Sequence, residues 1–291
     1  MGDVATPGAE ISGGNVVRLA ARAFERDRYL AALLAPRAAR DGLIALAAFA
    51  GEIARIPASV SEPMAGEIRL QWFRDSIDGF AAGTAVATGH PIADALGEAM
   101  QRHQLPAALL HDVIDAQSER LLDQPFADLA ALSANLRKLD GGLFRLACGI
   151  LADPGARHDA TFFDIAGEAY GLARVLIEAP VELSQGRMLF PLDMTQAHGW
   201  APADARGAED KEAWQSLSRA LGELARARFA ALAEGFQRAP ADVRTATLPV
   251  ALVRPYLGAS QRADIAALEV CDIGPLTRVW RLWLAHMTGR V

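Results

Sequence analysis

Residues 162–191 read FFDIAGEAYGLARVLIEAPVELSQGRMLFP, and the fold turns on this stretch. Ile165, Ala169, Leu172 and Leu176 recur at i, i+4, i+7 and i+11, the spacing that stacks side chains on one face of an α-helix. A helix with one buried face is therefore expected over 162–181. Glu178 and Glu182 follow one turn apart on it, so two carboxylates share a side and together could hold one cation.

Working toward the N-terminus, residues 126–151 form another apolar helical run in which Gly141-Gly142 allows a bend, and Asp153-Pro154-Gly155 stops it. Pro91 and Pro106 stand where helices to about His103 and Ser118 would start. A first helix is expected over 16–35. Pro36 opens a second that ends near Ile56, where Pro57 and Pro63 break the pattern, and a third covers 64–83. On the C-terminal side, Leu217, Leu221, Leu224, Leu232 and Phe236 mark a long helix, and shorter ones are expected over 248–257 and 275–287, the last carrying Trp280 and Trp283. Those tryptophans, with Trp72 and Phe73, read most simply as core or interface aromatics. No repeat, low-complexity linker or charge block divides the chain, so one all-α bundle is expected over 16–291 after a disordered leader, 1–15, without the pattern of a secretory signal.

With 52% hydrophobic and 22% charged residues the chain can bury a large core. The 29 basic and 35 acidic residues leave a net charge of −6, which argues against nucleic acid as a partner, since phosphate binding needs surplus Lys and Arg. The apolar run LIALAAFAG at 43–51 is too short to cross a bilayer. Cys148 and Cys271 lie far apart in apolar surroundings and are expected as free thiols in a reducing, cytoplasmic compartment. The six histidines show neither H-x3-H nor Cys-adjacent spacing, so a zinc site is not expected, and no cofactor is expected either.

Two segments carry a family resemblance. From Leu46 the run LAAFAGEIARIPA lines up with L-Y-A-F-C-R-x-x-D-D-x-x-D. From Gly167 the run ending in Gly186-Arg187 and Pro191 lines up with G-x-A-x-Q-x-x-N-x-L-R-D-x-x-E-D-x-x-x-G-R-x-Y-x-P. Both patterns resemble the squalene/phytoene synthase family. The resemblance implies an isoprenoid-synthase-type helical bundle with a central cavity, where carboxylates on two facing helices hold Mg²⁺ ions that grip a diphosphate. Here the outer Asp positions of the first motif are Ala54 and Ala58, with Arg55 between them. In the second motif Arg174 takes the Asn position and Ile177 the Arg position, and the acidic positions read Glu178, Val181 and Glu182. A degenerate site without catalysis is implied. Glu178 and Glu182 are the metal candidates, and Mg²⁺ is needed only if the chain still condensed farnesyl or geranylgeranyl diphosphate.

Four shorter stretches are similar to the branch of that family that assists assembly of respiratory complex I. They are Phe49 to Ala54; Ser61-Glu62 with Gly66, Arg69, Gln71, Trp72 and Phe73; Gln101 to Leu105; and Phe190 to Asp193 with His198-Gly199. This likeness implies complex I subunits or other assembly factors as protein partners, a prenyl or lipid ligand, and peripheral attachment to the inner face of the inner membrane. Arg187 and Arg69 are the candidates for a phosphate group. Glu52 reads either as a core pair with Arg69 or Arg187 or as a site residue. Arg55 and Arg174 read either as headgroup ligands or as plugs paired with Glu178 and Glu182. Arg18, Arg22, Arg26, Arg28, Arg37 and Arg40 read as a solvated face or a basic patch.

Overall fold

Proline sets many of the helix starts. Pro63, Pro91 and Pro275 are the first residues of their helices, and Pro36, Pro106, Pro191 and Pro240 immediately precede theirs, because a fixed φ and a missing N–H cost nothing where that N–H would be unpaired. In this computed structural model the described residues are 13–60, 62–85, 87–121, 124–153, 156, 158–201, 211–261 and 268–291. The helices are α1 Gly13–Phe24, α2 Arg26–Leu34, α3 Arg37–Ser59, α4 Pro63–Ala81, α5 Pro91–His103, α6 Ala107–Ser118, α7 Leu129–Leu136, α8 Gly142–Leu151, α9 Ala160–Ser184, α10 Leu192–Ala197, α11 Lys211–Arg238, α12 Ala241–Ala246, α13 Val253–Ser260 and α14 Pro275–Thr288. Among the described residues, short 3-10 turns at Glu119–Leu121 and Leu248–Leu252 and a π-turn at Arg137–Gly141 join them. The fold is all α.

Two helices organise the bundle. α1, α2, α4, α5 and α8 pack around α3, whose run from Gly42 to Gly51 is wholly buried. α11, α13, α7, α8 and the π-turn pack around α9. One apolar cluster runs through nearly all these elements, with Phe49, Phe144, Tyr170, Phe190 and Phe236 fully enclosed. Phe73 joins it, whereas Trp72, Trp280 and Trp283 are exposed.

Four expectations change in detail. The first helix is broken at Glu25, whose φ of −130° and ψ of 56° lie outside the helical region; the break turns Glu25 inward. Pro57 does not end α3 but lies in its last turns. α3 therefore reaches 23 residues and has the length and apolarity to cross a membrane, although 67% of its apolar window is buried inside the bundle. The expected 126–151 helix is three pieces, since the π-turn adds a residue between α7 and α8. Of the expected leader, residues 1–12 lie outside the described residues, and Gly13–Asn15 already belong to α1.

The π-turn and α9 touch backbone to backbone. A Cβ placed on Gly167 would stand 2.2 Å from the Gly141 nitrogen, and one on Gly171 would stand 2.6 Å from Leu136 and 2.8 Å from the Asp140 carboxylate. Only glycine permits this crossing. Two separate hollows border the helices that carry the motifs. A hollow of about 300 Å³ lies under Ala54, Arg120, Glu182 and Arg187, and another of about 250 Å³ borders Glu25, Arg174 and Glu178.

Candidate functional site

Three backbone irregularities and one regular helix bring six charges together. The α1–α2 break supplies Glu25 and Arg28, the π-turn supplies Asp140, the 3-10 turn after α6 supplies Arg120, and α9 supplies Arg174 and Glu178. Arg174 donates from Nε to Glu178 at 2.8 Å and from Nη1 to Glu25 at 3.1 Å, and its Nη1 lies 3.6 Å from Asp140. Arg28 donates to Asp140 and lies 3.3 Å from Glu25. Arg120 ends the chain of pairs at 3.6 Å from Glu178. Three carboxylates face three guanidiniums, so a set of groups that would each be costly to bury alone is neutral as a whole.

Burial and partners set the proton affinities. Burial pushes the Glu25 carboxyl above the usual value of 4.5, an effect that Arg174 and Arg28 offset only in part. Burial also raises Glu178, but Arg174 and Arg120 outweigh it and hold that carboxyl below its usual value. Arg174 loses solvation too, yet Glu178 and Glu25 keep its guanidinium firmly protonated. A lowered folded-state pKa stabilises the fold above the unfolded value and ceases to do so as pH falls through the folded one. The isosteric Glu178→Gln protein should therefore melt below the native protein at pH 7, and the gap should close as pH drops below 4.5. Melting curves across that range check this; a gap that persists in acid would contradict it.

A second buried cluster adjoins the first. Asp27 accepts from the Tyr170 hydroxyl at 2.7 Å and from the Tyr256 hydroxyl, and its other oxygen lies 2.7 Å from Arg278 Nε. Burial and the Asp27 charge push both phenols above their usual range. Arg278 also donates to Asp272 at 2.8 Å. This cluster fastens α14 to α2, α9 and α13.

The residues singled out from sequence take varied places. Ala54 is half-buried at the wall of the 300 Å³ hollow, and Ala58 is exposed. Arg55 does not reach α9: it lies over the Phe24 ring at 4.0 Å and 3.5 Å from Glu52. Glu52 is thus only partly buried, and its partner is Arg55 where Arg69 or Arg187 was expected. The i, i+3 spacing on one helix makes that the shorter reach. Arg69 donates to Ser59 at 2.9 Å on the exposed side, away from the hollow's lining. Arg187 donates to Glu182 at 2.6 Å, and both line the hollow together with Arg120. Of the proposed basic patch, Arg28 is buried in the ion network, while Arg22, Arg26 and Arg37 are exposed and Arg18 pairs with Asp41 at 2.9 Å.

This donor set does not fit the Mg²⁺ cluster that the family resemblance implies. Ala54 offers one wall only a methyl group and Ala58 is turned to solvent, while on the other wall the carboxylates of Glu178 and Glu182 are already held by guanidiniums. A hard cation needs several free oxygens. Sequence reasoning missed Glu25, Arg28, Asp140 and Arg120. The signal it could have used is the run FERDRYL at 24–30, where four consecutive charges interrupt an amphipathic pattern. Asp140, set between Leu139 and Gly141-Gly142, carries no comparable signal.

The comparisons with known proteins agree with this architecture. NADH dehydrogenase (ubiquinone) complex I, assembly factor 6, from Bos taurus is 28% identical over 251 residues, covering 84% of this chain and 72% of that protein. The bifunctional protein CrtB/UppS of Streptomyces coelicolor is 28% identical over 197 residues, 66% of this chain and 34% of that one. Among solved structures, a dehydrosqualene synthase superimposes with a TM-score of 0.75 at 14% identity, covering 94% of this chain and 95% of that one. The squalene synthase HpnC of Alicyclobacillus acidocaldarius gives 0.69 at 19% identity, with 84% and 92% covered. The family profile described as squalene/phytoene synthase matches residues 21–280. With the bundle and both motif helices in place over that span, the chain belongs to the squalene/phytoene synthase family.

Proposed function

We propose that this chain is a non-catalytic member of its family that assists the assembly of respiratory complex I by binding protein partners at the cytoplasmic face of the inner membrane. The observation that carries the non-catalytic part is Arg174. Its guanidinium lies among Glu178, Glu25 and Asp140, so a positive side chain occupies the place where the chemistry of the fold needs carboxylates free for metal. The assembly role rests on the likeness to the complex I assembly factors.

Two features support a lipid-facing role. The 300 Å³ hollow offers Arg120 and Arg187 beside Met188, Leu189 and Phe126, a mixture that suits the head and tail of a prenyl or lipid ligand. On α14, Leu276, Val279, Trp280, Trp283 and Met287 are all exposed, and the two indoles lie side by side, tilted by 30° with centroids 5.1 Å apart. Residues 275–291 include Arg281 and Arg290 and no acidic residue. Exposed tryptophans with cations alongside suit the headgroup level of an anionic bilayer.

Deletion of the gene should lower assembled complex I on native gels; unchanged levels would sink the assembly reading. Restoring the deletion with a Trp280→Ala, Trp283→Ala chain should recover less complex than the native chain and leave more of the protein unattached to membranes. Incubation of the purified protein with farnesyl or geranylgeranyl diphosphate and Mg²⁺ should yield no condensation product, and a product would overturn the non-catalytic part alone.

A further inference from the structure

α8, the segment leading into α9, and the start of α12 meet at a point remote in sequence from both acidic motifs. There the Cys148 sulfur, one ring nitrogen of His158 and one carboxylate oxygen of Asp242 all lie within 4.8 Å of one another. Cys148 is buried, and His158 and Asp242 are largely so. We propose that these three side chains form a zinc site, with a fourth position open to water or to a group from another molecule.

The ligand types and their orientation support this. Zinc takes thiolate, imidazole and carboxylate at about 2.0–2.3 Å in a tetrahedral arrangement, so three such donors need only small side-chain shifts to share one ion. His158 Nε2 and Asp242 Oδ2 are 2.9 Å apart, yet Nε2 is buried and makes no hydrogen bond. The two atoms are close without pointing at each other, as ligands aimed at a common centre are. The other Asp242 oxygen already accepts the Val243 backbone N–H at 2.9 Å, which fixes the carboxylate and leaves Oδ2 for the metal. The Phe163 ring and the imidazole lie nearly perpendicular, with centroids 6.5 Å apart.

Charge closes the argument. A Zn²⁺ ion replaces the thiol proton, which passes to solvent, and pairs with one thiolate, one carboxylate and a neutral imidazole. The sum is zero, the only charge such a buried place tolerates cheaply. The spacing of Cys148, His158 and Asp242 matches no short zinc motif, which is why the sequence did not suggest a metal here; the packing of α12 on α8 makes the site.

The test uses the whole chain, freed of any affinity tag and stripped with a chelator, titrated with Co²⁺ and then Zn²⁺. One equivalent of Co²⁺ should bring up sulfur-to-cobalt charge-transfer absorption with the visible bands of a tetrahedral ion. Zn²⁺ should bleach both and raise the melting temperature. Cys148→Ser should abolish the charge-transfer band, and Asp242→Asn, which keeps the shape of the side chain, should weaken Co²⁺ binding at least about tenfold, as even loss of an outer-shell partner can. Cys271→Ser should leave the band intact. Absence of the band in the native chain, or its persistence in Cys148→Ser, overturns the proposal. A thermal shift that Asp242→Asn retains in full overturns it as well.

Discussion

Arg174→Ala should destabilise the protein by about 3 kcal/mol, at the lower end of what breaking a buried ion pair costs. The lower end follows from the geometry. The substitution leaves three carboxylates against two guanidiniums, but each carboxylate keeps one cation: Arg28 for Glu25 and Asp140, and Arg120 for Glu178. The Arg174 side chain is 20% exposed and Glu25 only 4%, so the loss falls mainly on Glu25, whose carboxyl burial already drives toward the protonated form. Denaturant midpoints of Arg174→Ala, Glu178→Ala and the double variant measure the coupling. The double variant should lose clearly less than the sum, because it removes an anion together with its cation. Additive losses, or an unchanged midpoint for Arg174→Ala, would show that the network does not hold this part of the fold.

Gly167→Ala is the other large effect, about 3 kcal/mol, the upper end of ordinary overpacking. The added methyl would stand 2.2 Å from the Gly141 nitrogen and 2.6 Å from its Cα. Neither atom belongs to a side chain that could rotate away, so α9 and the π-turn must separate. That separation also pulls Asp140 from Arg28 and Arg174, and adds part of the ion-network loss. Gly258→Ala in α13, where nothing lies within 4 Å of the new methyl, should instead gain about 1 kcal/mol through helix propensity. Chemical denaturation of the two variants side by side separates crowding from propensity; equal effects would contradict the close crossing.

The helices were legible because their signals are local. The Pro91 and Pro106 starts, the Ile165–Leu176 stripe and the Leu217–Phe236 stripe correspond to α5, α6, α9 and α11. The positions of Glu178 and Glu182 on α9 follow from the same periodicity. The break at Glu25 and the π-turn at Arg137–Gly141 were not legible, since each is imposed by a distant partner: Arg174 for the first and the backbone of α9 for the second. The site suffers from the same limit. Arg55 reads from sequence as a neighbour of Glu178, but the local stack on Phe24 takes it elsewhere. Arg28, one of six arginines that share a charge pattern, is buried only because Asp140 and the Phe144 ring at 4.8 Å receive it. Side chains whose environment is set across long sequence separations carry no local mark.

The node at Asp27 bears on synthesis. Asp27 is translated early, its tyrosine partners follow, with Tyr256 coming 229 residues after it, and its only close cation among the described residues, Arg278, arrives on α14 later still. A chain that lacks residues 275 onward has the Asp27 carboxylate and both phenols but not the guanidinium that faces them in the full fold. The contact of α14 with α2 therefore completes the charge balance of this node late in synthesis, and a fragment that ends short of α14 leaves that seam on α2 open.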